Sequence, residues 1–331
     1  MKKVDNFRIE FYRKKRLRKN IRRQQKPIIS NTHRRRELER VRFTNTAPDN
    51  FNFIDNTDEM LDFFERGRQK LWQKIPVKCD LRSVTCLTPD AIAIFASLFT
   101  DETYSNGTHL EGNAPRIKEL KNKFLGSGFY NHVHSMRKPK IEEHNFLLHK
   151  ISNKKTDPRL AKTATDFAAK FTFKDNRKFR PVYEIIIELM ANTNNHASPD
   201  RLGVYEWWLY VFYDKETNIT SYSFLDFGVG IFKSKPFLKY LIDLKLLTIG
   251  IKKDYSELAS DLLEGRITSR TGLNERGRGF TCITKNAEHP AFKKFVLISN
   301  NVYIDILTKS SRELANDFSG TFAYWEVGDE N

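Results

Sequence analysis

The stretch "ELMANTNNHA" (residues 188–197) places polar side chains in a segment whose apolar residues otherwise have the spacing of a helix. Glu184, Glu188, Asn192 and His196 are four residues apart, so they share one face of that helix. Such a stripe is either the solvated face of an amphipathic helix or a row that faces a ligand. In the second case a carboxylate and an amide would hold a metal ion and a water. The rest of the chain decides between the two interpretations.

The composition predicts a cytoplasmic protein that does not span a membrane. Of the 331 residues 39% are hydrophobic and 30% are charged, and the length suffices for two domains with separate cores. No apolar run approaches the ~20 residues that a membrane helix needs. The first residues lack the apolar stretch of a secretory signal. The three cysteines are odd in number and have no metal-ligand spacing, which predicts reduced thiols.

The positive charge is concentrated in residues 1–45. This basic N-terminal arm holds 17 Lys/Arg and four Asp/Glu, a net charge of +13, whereas the remaining residues hold 40 and 37, a net charge of +3. The arm has too little apolar content to fold unaided. Its partner is therefore a nucleic acid or an acidic protein, unless it is a solvated extension; anionic lipid is the weaker alternative.

Removal of the arm tests the nucleic-acid interpretation. We expect a chain that starts at residue 46 to lose its affinity for RNA or single-stranded DNA, and the affinity of the full chain to fall steeply with salt as counterions are released. The aromatic residues Phe7, Phe11, Tyr12 and Phe43 favour unpaired bases. The measurement is a titration of both chains at several salt concentrations. Equal binding by the two chains would exclude this role for the arm.

Residues 46–158 predict a small α/β domain. "TDEMLDFFERGRQKLW" has helical spacing, "IPVKCDLRSVTCL" alternates like a strand, and Pro89 after Thr88 begins a second helix. This order of elements resembles the STAS domain of anti-sigma-factor antagonists, which implies a protein partner or a dimer through this domain. Those antagonists carry a phosphorylated serine in an Asp-Ser-Ser-Gly-like turn. The matching turn here, "LTPD", has only Thr88 as a hydroxyl.

Residues 159–331 contain four motifs in a fixed order. After "ELMANTNNHA" come "DFGVGI" at the end of a predicted strand, "RGRGFT" at the start of a predicted helix, and "GTFAYWEV" in a terminal strand. Together they resemble the N-box and the glycine boxes of the GHKL ATPases, the superfamily of gyrase, histidine kinases and mismatch-repair ATPases. The resemblance implies a two-layer Bergerat sandwich, a mixed sheet with helices on one face. The chain is thus predicted to be α/β (α+β).

The resemblance also implies the residues of a magnesium and phosphate site. Asn192 would ligate Mg²⁺ through its side-chain oxygen, and Glu188 would be the catalytic residue that polarises the attacking water or hydroxyl. Gly277, Arg278 and Gly279 would wrap the phosphates as part of a lid, because glycines at a helix N-terminus expose N–H groups to an anion.

The same resemblance implies an adenine pocket. Asp226 would accept the adenine amino group, and Gly228 and Gly230 would let the base approach the backbone. Thr321 would support the pocket through its hydroxyl or a water. The cofactors are then ATP and Mg²⁺.

Three functions remain open on the sequence. The first is an ATPase that acts as a nucleotide-driven regulatory switch, with the basic arm for its partner. The second is a protein serine/threonine kinase of the anti-sigma type, which "RGRGFTCITKNA" resembles. The third is an ATP-binding interaction module with little turnover. Glu188 favours the first two, and the arm together with the STAS-like half favours the first.

Overall fold

A computed structural model of the chain describes residues 42–135, 139–152, 156–174, 179–196, 205–234, 255–263 and 278–329. The arm prediction for residues 1–45 lies outside them apart from its last four residues. Phe43–Asn331 forms one compact unit. The helices are α1 Thr57–Trp72, α2 Pro89–Thr100, α3 Glu102–Ser105, α4 Lys118–Gly126, α5 Pro158–Ala168 with a π-helical end at Ala169–Phe173, α6 Arg180–His196, α7 Tyr255–Leu263 and α8 Arg278–Ala287. A short 3₁₀ turn covers Phe129–Asn131.

The strands are β1 Phe43–Thr46, β2 Asn50–Phe51, β3 Val77–Asp80, β4 Cys86–Leu87, β5 Leu110–Gly112, β6 Asn145–Ser152, β7 Tyr205–Asp214, β8 Ile219–Asp226, β9 Phe292–Asp305 and β10 Ser310–Val327. They form three sheets. A parallel three-stranded sheet has the order β1-β3-β5, and a parallel pair joins β2 and β4. The largest sheet has the order β6-β7-β8-β10-β9, so the molecule combines helices with parallel and antiparallel pairing.

The five-stranded sheet corrects one expectation about the C-terminal part. Every pair of its described strands is antiparallel, whereas a mixed sheet was predicted. Connectivity explains two of the four pairs: β7 and β8 are joined by a four-residue turn, as are β9 and β10, and short turns can join only antiparallel neighbours. Strand β9 runs without interruption from Phe292 to Asp305.

Side chains of the large sheet alternate between two separate cores. On β7, Trp207 and Leu209 belong to the core formed with α5, α6, α7 and α8, whereas Trp208 and Tyr210 belong to the core formed with α1 and α2. This alternation is the period of two of a β-strand. The sheet is therefore covered on both faces, with the helices of the predicted site on one side and the N-terminal elements on the other.

Helix α2 lies between the large sheet and the elements around the small parallel sheet. Ten of its twelve residues are buried, including the carboxylate of Asp90. Oδ2 of Asp90 accepts hydrogen bonds from the backbone N–H groups of Phe53 (2.8 Å) and Ile54 (3.1 Å). A helix that is apolar all round must be enclosed on all sides, which explains the sequence "PDAIAIFASLFT".

The boundary predicted between residues 158 and 159 does not divide the structure. Strand β6, which precedes it, pairs along its whole length with β7 and so belongs to the large sheet. One apolar core also runs from Ala47 to Tyr324, across the predicted boundary. The pairing of β6 with β7 joins segments about 50 residues apart, and no local pattern in the sequence reveals it.

Three further observations concern the thiols, one histidine and membrane helices. Cys79, Cys86 and Cys282 are free thiols, the first of them buried. Nε2 of His132 lies 3.0 Å from the carbonyl oxygen of Leu147, as for a histidine satisfied by the core. Within the described ranges no helix is both long and apolar enough to cross a membrane.

Candidate functional site

The polar stripe of α6 faces α8 rather than solvent. Glu184, Glu188 and Asn192 are all half-buried. Near the end of α8, Asn286 donates a hydrogen bond of 3.0 Å to Oε2 of Glu184, whose other oxygen is paired with Arg180. Because the start of α8 lies beside Glu188 and Asn192, the two helices run antiparallel. The first interpretation of the stripe, a solvated face, does not describe this contact.

Gly279, in the first turn of α8, is the point of closest approach to α6. An added Cβ there would lie 2.8 Å from Oε2 of Glu188 and 3.3 Å from Oδ1 of Asn192. Any side chain at this position would therefore displace the two polar groups. The backbone N–H groups of the first helical turn have no partner within the helix, and the helix dipole makes this end favourable for an anion. Burial, followed by the charge of Glu184, raises the pKa of Glu188.

Asp226 ends β8 between the two neighbouring strands, opposite Trp207 on β7 and Thr321 on β10. Its side chain is buried, and Oδ1 accepts a hydrogen bond of 2.8 Å from the backbone N–H of Gly228. The hydroxyl of Thr193 on α6 lies 3.0 Å from Oδ2. Burial raises the pKa of Asp226 to about 6, against the opposing effect of these hydrogen bonds. A buried carboxyl group whose pKa lies close to neutral pH is typical of functional sites.

Thr193 explains how Asp226 accommodates either charge state. Its hydroxyl also lies 3.1 Å from the carbonyl oxygen of Leu189, and it has one proton to donate. When Asp226 is ionised, the hydroxyl can donate to Oδ2. When Asp226 is protonated, the acid can donate to the hydroxyl, which then donates to Leu189. Thr193 was not among the predicted site residues, although it directly follows Asn192 in the sequence.

The glycine loop after Asp226 is held by the middle of β9. Gly230 has a positive φ of +78°, and an added Cβ would lie 2.6 Å from Oδ1 of Asn300. Oδ1 of Asn300 accepts from the N–H of Phe232 (3.2 Å), and its Nδ2 donates to the carbonyl of Val229 (3.0 Å). The hydroxyl of Ser299 accepts from the N–H of Ile231 at 2.8 Å. The loop is thus fixed by side chains before any ligand arrives.

Ser299 and Asn300 belong to the candidate site but were not predicted from the sequence. The signal was present as "SNN" inside the apolar run "VLISNNVYI", which is unusual for a buried strand. Ser299 also donates to the carbonyl of Gly320 at 2.8 Å and lies 3.5 Å from the hydroxyl of Thr321. Gly320 has φ +118° and leaves only 1.9 Å between an added Cβ and the carbonyl oxygen of Asp226. These residues connect the loop to β10.

The structure brings the predicted residues into two groups, each beside α6. Glu188 and Asn192 lie beside Gly279. Thr193 contacts Asp226, which precedes the glycine loop and pairs with Thr321. The predicted Gly277, the side chains of Arg278, Asn195 and His196, and most of the predicted lid at residues 232–280 lie outside the described residues.

The described side chains could hold a metal ion only together with a bound ligand that supplies further donor atoms. No group of three or more His, Cys, Asp or Glu side chains in the described ranges could hold a metal ion. Mg²⁺ commonly takes one or two protein ligands and completes its octahedron with phosphates and waters, and Asn192 beside a helix N-terminus fits that pattern. Neither a protein-family model nor a curated protein matches the chain.

Proposed function

We propose that the protein binds ATP with Mg²⁺ and hydrolyses it as a nucleotide-driven regulatory switch, on a sandwich of the GHKL (Bergerat) type. One observation carries this proposal: α6 presents Glu188 and Asn192 towards Gly279 and, one residue further on, Thr193 towards Asp226. A nucleotide has an anionic end and a planar polar end. A single rigid helix that carries groups suited to each end fixes the distance between them.

The base end of the site is Asp226. A carboxylate offers about four lone-pair sites, of which the backbone N–H groups of Gly228 and Thr321 and the hydroxyl of Thr193 use three. The remaining capacity can accept the amino group of adenine. Guanine presents a carbonyl oxygen at the same position and would meet the carboxylate with repulsion. The site should therefore prefer ATP to GTP.

The phosphate end lies between α6 and α8. The amide oxygen of Asn192 would hold Mg²⁺, and the first-turn N–H groups of α8 would face the phosphates. Bound Mg²⁺ supplies neutralisation of the phosphate charge. Glu188 accepts a proton from the attacking water, and its raised pKa brings it closer to neutral pH, where a general base works best.

Calorimetry of the purified full chain tests the proposal. We expect ATP to bind in the presence of Mg²⁺, more weakly in its absence, and GTP to bind far less. Turnover should appear as free phosphate, and its rate should change when RNA or single-stranded DNA is added. Phosphate found on a protein serine instead would support the kinase alternative. Absence of ATP binding would overturn the proposal.

Substitution of Gly279 tests the contact between the two helices. Gly279→Ala should reduce turnover about tenfold, because the new Cβ would push the tips of Glu188 and Asn192 out of place. Stability should stay equal or rise slightly, since Ala is favoured over Gly in a helix by up to ~1 kcal/mol. Turnover and thermal unfolding are measured together. Thr281→Ala, at an exposed position of the same helix, is the control. It should leave turnover unchanged, and its stability should also stay equal or rise slightly, since Ala is favoured over Thr in a helix.

A further inference from the structure

Trp72 is the one exposed tryptophan of four in the chain. It ends α1 and is 55% exposed, whereas Trp207, Trp208 and Trp325 are each 2% exposed or less. Large aromatic side chains are normally covered in a folded protein, and an exposed one is a common feature of binding surfaces. Among the described residues only Ile117, at 42%, is a comparably exposed large apolar side chain.

Cations lie near Trp72 on the same part of the surface. The guanidinium of Arg68 lies 5.7 Å from the centre of the Trp72 ring, and the ammonium of Lys70 lies 5.6 Å from the ring of Phe43. Phe43 pairs with Val77, just beyond the end of α1. We call Phe43, Arg68, Lys70, Trp72 and Lys74 the aromatic–basic patch.

The charges of this patch are available to a polyanion. Arg68 makes two hydrogen bonds to Glu65, at 2.7 and 3.0 Å, which leaves donors of its five-donor fork unused. Lys74 donates to the carbonyl of Asn106, and no carboxylate pairs with Lys70 or Lys74 among the described residues. Arg42, the residue before Phe43, closes the arginine cluster "RRRELERVR" at residues 34–42.

We propose that the aromatic–basic patch binds single-stranded nucleic acid, with an unpaired base stacked on Trp72 and neighbouring phosphates held by Lys70 and Lys74. Aromatic rings beside cations bind unpaired bases by stacking while the cations follow the phosphates. An acidic protein would use the cations but has no need of a bare indole ring. The inference goes beyond the proposed function and is independent of ATP.

Tryptophan fluorescence gives the patch its own readout, because the other three tryptophans are buried. Oligouridylate or oligothymidylate added to the full chain at low salt should quench the emission of Trp72. Trp72→Phe should bind with similar affinity but without quenching, and Trp72→Ala should bind about five- to a hundredfold more weakly. Ile117→Ala is the matched control at the other exposed apolar residue and should behave as wild type.

Several outcomes would overturn the inference. The first is quenching that persists in Trp72→Phe, and the second is wild-type affinity in Trp72→Ala. The third is absence of oligonucleotide binding by the full chain. The fourth is equal quenching by polyglutamate, which would indicate that the partner is an acidic protein. The ATP site is scored separately: Asp226→Asn should still show quenching by oligonucleotides. A chain that binds oligonucleotides but no ATP would refute only the nucleotide proposal.

Discussion

Glu188→Ala should abolish ATP turnover while ATP remains bound. Loss of a general base lowers a rate by about 10²–10⁴-fold. Glu188 is half-buried and faces the start of α8 beside Gly279. Asn192→Ala should instead remove the dependence of binding on Mg²⁺. The measurements are phosphate release and calorimetry on each variant. Wild-type turnover in Glu188→Ala would exclude the base role.

Glu184→Gln is the matched control for this result. Glu184 lies one turn earlier on the same face, but its carboxylate is engaged by Arg180 and Asn286. Turnover should be retained within a few-fold. Because the charge of Glu184 contributes to raising the pKa of Glu188, its removal should lower that pKa. The acidic limb of the pH–rate profile should then move to lower pH, an effect that a purely structural role of Glu184 would not produce.

Asp226→Asn should weaken ATP binding about ten- to a hundredfold. The adenine amino group would lose a charged acceptor, an interaction worth ~1.5–3 kcal/mol. Calorimetry at pH 7.5 measures the loss. Asp90→Asn is the control, since Asp90 is another buried carboxylate that accepts backbone N–H groups, and burial raises its pKa as well. Asp90 contacts none of the predicted site residues, so Asp90→Asn should bind ATP with the affinity of the wild type.

Asp226→Asn should also unfold at a higher denaturant concentration than the wild type near neutral pH. The pKa of Asp226 rises from 3.8 to about 6 on folding, so the folded protein binds more protons between these values. Stability from this group is therefore lost as pH rises through that window, by at most about 3 kcal/mol above pH 6. Asparagine carries no charge to desolvate, and its amide can donate to Thr193. The advantage of Asp226→Asn should disappear near pH 4; a variant less stable than wild type at pH 8 would contradict this account.

The sequence predicts the local elements well and the contacts between them poorly. Sequence patterns predicted α1, α2 and the strand that ends at Asp226. The spacing of polar residues within α6 also indicated that Glu188 and Asn192 share a face. These features depend on residues a few positions apart, which is the range over which helix and strand periods act.

The sequence does not reveal which segments that lie far apart in the chain contact one another in the fold. Thr193 meets Asp226 only because α6 packs on the sheet, and Asn300 meets the glycine loop across 68 or more residues. Asn300 also has φ +53°, so "SNN" suggests a turn, although β9 continues through it. Opposite Asn300, the pairing register of β10 shifts on both sides of Phe318, and these bulges accommodate the positive φ of Asn300. Local preference was overridden there by pairing across the sheet.

The double coverage of the large sheet has a consequence for the way this chain can be engineered. A fragment that starts at residue 159 would lack β6 and would open the face that carries Trp208, Tyr210, Leu225 and Phe322 to water. It would also leave β7 as an unpaired edge, and both features promote aggregation. The half of the chain that carries the candidate site therefore should not be produced or transferred without the N-terminal half. Fusions and minimal chains should keep everything from Phe43 onwards, and exchange of the N-terminal half would require a replacement shaped to the same apolar surface.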